Sequence, residues 1–124
     1  IWIGRIGEGL VRLSERRVQN IRGGSRSPSL IANSIAESQD GSVWMSSTKG
    51  LFRWTDGKMD LISPETAKII HGTVLVDHEG TVWNGTSAGL QSYRNGKLTL
   101  HQDISWTNAH SSNSLFEDSR KNLW

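Results

Sequence analysis

Tryptophan returns along this chain at Trp2, Trp44, Trp83 and Trp124, at spacings of 42, 39 and 41 residues. Each of the first three is followed by the same marker. Gly50-Leu51 and Gly89-Leu90 each begin six residues after their tryptophan, and Gly9-Leu10 begins seven after Trp2. Self-similarity at this period means that one supersecondary unit is built several times over, each copy burying its apolar face against the next.

The order of residues inside the period identifies the unit. Asp40-Gly41 and Glu79-Gly80 are turn formers, and each feeds a short β-rich run, Val43-Trp44-Met45 or Val82-Trp83. A second strand starts at the Gly-Leu pair, with Leu51-Phe52-Arg53-Trp54 and Leu90-Gln91-Ser92-Tyr93, and runs into Asp56-Gly57-Lys58 or Asn95-Gly96-Lys97. Asp-Gly and Asn-Gly suit two-residue hairpins because both central positions need positive φ, so a third strand returns antiparallel. The fourth strand precedes the turn: Ile35-Ala36-Glu37, Val74-Leu75-Val76 and Leu115-Phe116-Glu117 all begin nine residues before their tryptophan. No segment sustains an apolar helical stripe over three turns. The chain therefore reads as all-β, built from the four-stranded antiparallel blades of a β-propeller. Its expected division is a partial blade at 1–33, blades at 34–72 and 73–112, and the start of another at 113–124.

Positions that repeat are expected to serve the scaffold. Trp2, Trp44, Trp83 and Trp124 should pack between blades, Gly9, Gly50 and Gly89 open the second strand of each unit, and Gly57 and Gly96 should take positive φ in the hairpins. Trp54, Tyr93 and Leu13, each four residues past its glycine, follow the same logic. Asn33-Ser34, Gly72-Thr73 and Asn113-Ser114 share one register and are expected to cap the turn into the inner strand by local bonds to backbone.

Non-repeated residues are the candidates for recognition. Strand alternation puts the loop after the tryptophan strand and the connector into the next inner strand on one face, with the Asp-Gly and Asn-Gly turns on the other. The first face is expected to collect Arg5, Lys49, His71, Trp106, Asn108 and His110, and Trp106 is the one tryptophan there without a register partner. Polar loops around one exposed aromatic on a rigid scaffold suit a sugar or a peptide.

Composition narrows the alternatives. Fourteen basic residues against 12 acidic ones leave a formal charge of +2, with the two signs interspersed and no basic block, which gives nucleic-acid binding no support. There is no cysteine, hence no disulfide framework and no thiolate metal site. No cofactor motif, metal-ligand set or catalytic residue is assigned. His71 and His78 flank one inner strand and should point to opposite faces, and the glycine-rich Gly4-Arg5-Ile6-Gly7-Glu8-Gly9 leads into a strand, so it lacks the helix of a phosphate-binding loop. Asn84-Gly85-Thr86 matches a glycosylation sequon but falls in a strand expected to be buried.

Asp77-His78-Glu79-Gly80-Thr81-Val82-Trp83-Asn84-Gly85-Thr86-Ser87-Ala88-Gly89-Leu90-Gln91-Ser92-Tyr93 resembles the two-component regulator propeller repeat: acidic residue, turn, apolar, tryptophan, apolar, Gly-Thr, two spacers, Gly-Leu, aromatic. The likeness runs over the whole chain, with departures at Arg5, Ser46 and Asn84. It implies a periplasmic input domain of a hybrid sensor histidine kinase, homodimeric in the full-length protein and often responsive to carbohydrate or another small ligand, with membrane helix and kinase elsewhere in the polypeptide. Three blade lengths do not close a ring, so the expected partners are the remaining blades of a longer propeller, or else a second arc. A protein-interaction scaffold without a small ligand and, further off, a propeller-type lyase are the alternative functions.

Overall fold

The computed structural model describes residues 1–5, 9–14, 17–21, 30–64, 71–101 and 114–124. They form eleven strands, and no helix occurs among them. An antiparallel sheet of three strands contains β1 (Trp2–Arg5), β2 (Gly9–Ser14) and β3 (Arg17–Ile21). Two antiparallel sheets of four strands follow. The first contains β4 (Ala32–Glu37), β5 (Val43–Ser47), β6 (Gly50–Thr55) and β7 (Lys58–Pro64), and the second β8 (His71–Val76), β9 (Val82–Thr86), β10 (Gly89–Arg94) and β11 (Lys97–His101). Each is paired in simple chain order, as the expected propeller-blade unit requires. Beyond them Phe116 and Trp124 exchange two backbone hydrogen bonds, which repeats the pairing of Ala36 with Trp44 and of Leu75 with Trp83.

Successive sheets stack through their inner strands, β4 lying against both β1 and β8. Because side chains alternate across a strand, β5 serves two interfaces. Val43 and Met45 pack toward the first sheet with Trp2, Phe52 and Trp54, while Trp44 and Leu51 pack toward the third with Val74, Val82 and Tyr93. The two repeated aromatic positions are each other's partners. Trp2 meets Trp54 edge-on at 5.0 Å between ring centroids, and Trp44 meets Tyr93 at 5.1 Å, each tryptophan reaching the aromatic of the following sheet.

Each tryptophan is also covered from its own sheet. Arg12 lies 5.5 Å over the Trp2 ring and Arg53 5.4 Å over that of Trp44, each arginine standing opposite its tryptophan in the strand pairing. Ser92 occupies the corresponding place opposite Trp83, and there His101 stacks on the indole at 5.7 Å, held by a Ser92 Oγ to Nε2 contact of 2.9 Å.

Hydrogen bonds explain two further parts of the repeated pattern. The residue six before each tryptophan accepts its indole N–H: Ser38 from Trp44 at 2.9 Å, Asp77 from Trp83 at 2.7 Å and Asp118 from Trp124 at 3.0 Å. The hydroxyls of Ser47 and Thr86 donate to the carbonyls of Gly50 and Gly89, closing hairpins in which both glycines have φ of 127°. Gly57 and Gly96 take φ of 83° and 79°, preceded by Asp56 and Asn95 both at 51°, which is the expected two-residue turn.

The tryptophans share a register but differ in exposure. Trp44 is 3% exposed beneath the third sheet, Trp83 is half-buried, and Trp124 is 72% exposed. Trp44 owes its cover to Tyr93 of the third sheet as well as to Arg53 of its own. The reading of Ser34 as a local cap is corrected, since its Oγ donates to the Val74 carbonyl of the next inner strand at 3.4 Å and so ties two sheets together. Asn84 is fully buried, as the strand reading of its sequon required.

Candidate functional site

Sheet topology divides the molecule into two rims. The β5–β6 and β9–β10 loops and the facing ends of β1 and β2, at Arg5 and Gly9, lie on one, the rim expected to carry recognition. Turns β4–β5, β6–β7, β8–β9 and β10–β11 open on the other.

On the first rim, Lys49 is exposed in the β5–β6 turn, where its backbone N–H donates to Ser47 Oγ at 3.1 Å. Arg5 closes β1 opposite Gly9, and His71 opens β8 opposite Thr86; both stand on strand ends where hairpin and connector loops were expected. Trp106, Asn108 and His110 lie outside the described residues. His71 is the first residue of β8 and His78 lies beyond its other end, so they do not converge. Among the described residues no cluster of three or more His, Asp or Glu side chains is arranged to hold a metal ion.

The second rim holds a feature that repetition had assigned to the scaffold. A groove of about 350 Å³ opens between the β4–β7 and β8–β11 sheets, over the Trp44–Tyr93 contact. Asp40 and Arg53 form one wall, Arg94 and Asn95 the other. Arg53 Nη2 donates to Asp40 Oδ2 at 2.8 Å, and Arg94 pairs with Glu79. Asp40 is held below the usual carboxylate range first by the Ser42 hydroxyl and then by the Ser42 amide; burial opposes them, and Arg53 adds to the lowering. Each guanidinium thus already faces a carboxylate, and the walls offer hydrogen-bond donors and acceptors with little net field. Such a surface suits a polar ligand better than a strongly charged one. Sequence reasoning missed it because its residues belong to turns of adjacent repeats, which meet only when the sheets stack.

Turn-to-turn contacts knit this rim across neighbouring repeats. Gln39 Nε2 donates to the His78 carbonyl at 3.5 Å; the His78 backbone N–H donates to Glu117 Oε2 at 2.9 Å, and its imidazole Nδ1 pairs with Glu117 Oε1.

With this geometry in hand, the likeness to solved structures is specific about architecture. The extracellular domain of BT4673 from B. thetaiotaomicron matches 99% of this chain in two crystal structures, with TM-scores of 0.80 and 0.81 at 23% and 24% identity. That protein is assigned as a hybrid two component system in one and as a one component system in the other. The extracellular domain of BT3049 from the same organism, likewise assigned as a hybrid two component system, matches with a TM-score of 0.71 at 19% identity, again over 99% of the chain. The chain spans 18%, 18% and 17% of those three chains. Identity this low with similarity this high establishes a common fold. Neither a family model nor a curated protein matches the chain.

Proposed function

We propose that the chain is a segment of the extracellular or periplasmic input domain of a two-component signalling protein, and that it works by recognising a small polar ligand, carbohydrate among the candidates. The observation that carries this reading is the match of the whole chain, stacked sheets included, to extracellular domains assigned to such systems. The segment contributes rigid blades of a larger propeller. Ligand contact at its rim, or rearrangement between two such domains, changes the geometry passed to an output module elsewhere in the polypeptide. Catalysis is assigned to that module and not to these residues.

The test uses the intact protein. A membrane helix and a kinase domain in the same polypeptide, together with a ligand-dependent change in phosphorylation, are expected. An intact polypeptide ending shortly after its last repeat, with neither element, overturns the sensor reading in favour of a scaffold or a lyase. Within the sensor, Trp106→Ala is expected to weaken the ligand response more than about tenfold, roughly 1.4 kcal/mol, with stability nearly unchanged. A full response in that variant removes Trp106 from the site.

A further inference from the structure

The chain contains the dipeptide Asn-Gly twice, and the fold gives the two copies opposite surroundings. Asn84-Gly85 lies inside β9, with Asn84 fully buried and its Nδ2 donating to Gln91 Oε1 at 3.2 Å. Asn95-Gly96 forms the exposed tip of the β10–β11 hairpin on the groove wall. The Asn95 carboxamide has no partner among the described residues. A Cβ built on Gly96 would meet nothing within 4 Å.

We propose that Asn95 is a site of spontaneous deamidation that adds a carboxylate to the groove. The backbone nitrogen of Gly96 gives up its proton and bonds to Cγ of Asn95; the Cγ–Nδ2 bond breaks, and Nδ2 leaves as ammonia with that proton. The resulting five-membered imide is opened by water at either carbonyl, yielding aspartate or isoaspartate. Water is the only co-reactant. Glycine is the residue that leaves the attacking nitrogen least hindered and the backbone freest to reach the required conformation. The hairpin must open locally for the attack, and its tip is bounded only by the Arg94–Lys97 pair and solvent. Inside β9 the same dipeptide is held by ladder bonds on both sides, from β8 and β10.

The two products have different consequences. Aspartate at position 95 recreates the Asp56-Gly57 turn of the preceding sheet, whose φ values of 51° and 83° match the 51° and 79° found here. The fold therefore accepts it, and the new carboxylate competes with Glu79 for Arg94. Isoaspartate routes the chain through an additional methylene, and a two-residue turn does not accommodate that insertion.

Peptide mapping by mass spectrometry tests the assignment on intact protein aged in mildly alkaline buffer made with heavy-oxygen water. In the native protein the Asn95 peptide is expected to take up label and lose ammonia while the Asn84 peptide stays unchanged; in urea both should react. Asn95→Asp should fold like the parent and remove ammonia loss from that peptide. If native protein leaves Asn95 as inert as Asn84 while the urea sample converts both, the hairpin protects its tip and the proposal is wrong. It is equally wrong if Asn84 converts in native protein as fast as Asn95, because environment then does not decide.

Discussion

The two sheet-to-sheet interfaces are built on the same register and filled with different chemistry. Between the first and second sheets Met45 stands opposite Phe52, within an apolar cluster that includes Val43, Trp2 and Trp54. Between the second and third, the corresponding cross-strand pair is Asn84 and Gln91, buried to 0% and 3% exposure beside Val82 and Tyr93. Repetition thus fixes where a side chain points without fixing whether it is oil or amide. The buried amides are joined by one bond, from Asn84 Nδ2 to Gln91 Oε1, and losing either side chain leaves a buried polar group of the other without it. The second interface therefore depends more on matched hydrogen bonding, the first on volume.

The largest effect that tests this comparison concerns the tryptophan shared by the middle sheet and its neighbour. Trp44→Ala in the intact protein should cost about 3–5 kcal/mol, because it removes a fully packed ring and leaves a cavity. Its contacts with Tyr93 and Arg53 and its bond to Ser38 go with it. Leu61→Ala, at a side chain 50% exposed on the outer strand β7, should cost far less. Equal losses for the two variants in urea unfolding would show that cover by the following sheet is not what sets the burial energy.

A smaller effect separates amide from oil. Asn84→Met alone should destabilise by about 1–3 kcal/mol, since Gln91 Oε1 would be left buried without its donor. Adding Gln91→Phe rebuilds the Met45–Phe52 pair of the other interface and should return most of that loss, visible as a favourable coupling in a double-mutant cycle. If the single variant is as stable as the parent, or the second substitution restores nothing, the two interfaces do not differ in the way described.

Much of this architecture was legible in the residues. The tryptophan spacing, the Gly-Leu pairs and the Asp-Gly and Asn-Gly dipeptides placed the strands of both complete sheets, because each reports a local backbone requirement that neighbours do not override. Trp54 and Tyr93 were legible as scaffold from their place in the repeat, but not as the specific partners of Trp2 and Trp44, which depends on how sheets stack. Ser34 was misread for the same reason: a hydroxyl near a turn has local acceptors in sequence, yet its bond crosses to Val74. The groove over Trp44 and Tyr93 was invisible for a further reason. Repeated turns look like scaffold one at a time, and only the pairing of the Asp40 turn with the Asn95 hairpin makes a concave surface.

The smallest effect distinguishes the turns that hold the indoles. Asp118 is held down to about 2 by the Asn122 side chain, then by the Trp124 indole and the amides of Asn122 and Arg120. For Asp77 the largest influence is burial, which raises its pKa, but the bonds from the Trp83 indole and from the amides of Thr81 and Glu79 together outweigh it and leave the pKa lowered. Ser38 takes this place beneath Trp44, and its hydroxyl does not titrate over this range. A carboxylate with a depressed pKa in the folded state contributes stability that is complete above its unfolded value, here 3.8, and that disappears as pH falls through the folded value. The Trp83 and Trp124 bonds should therefore weaken below pH 3.8, over a window that for Asp118 extends to about 2, while the Trp44 bond persists as long as the fold does. Indole N–H resonances of the isotope-labelled intact protein read this directly: those of Trp83 and Trp124 should shift on acidification, and Asp77→Asn should abolish the shift for Trp83 alone. In an Asp40→Asn background, which removes the titrating partner of the Arg53 that lies over the Trp44 ring, a Trp44 resonance that still moves in step with the other two while the protein remains folded would mean that the carboxylates do not act as separate local caps, because the one indole held by a hydroxyl would then share their titration.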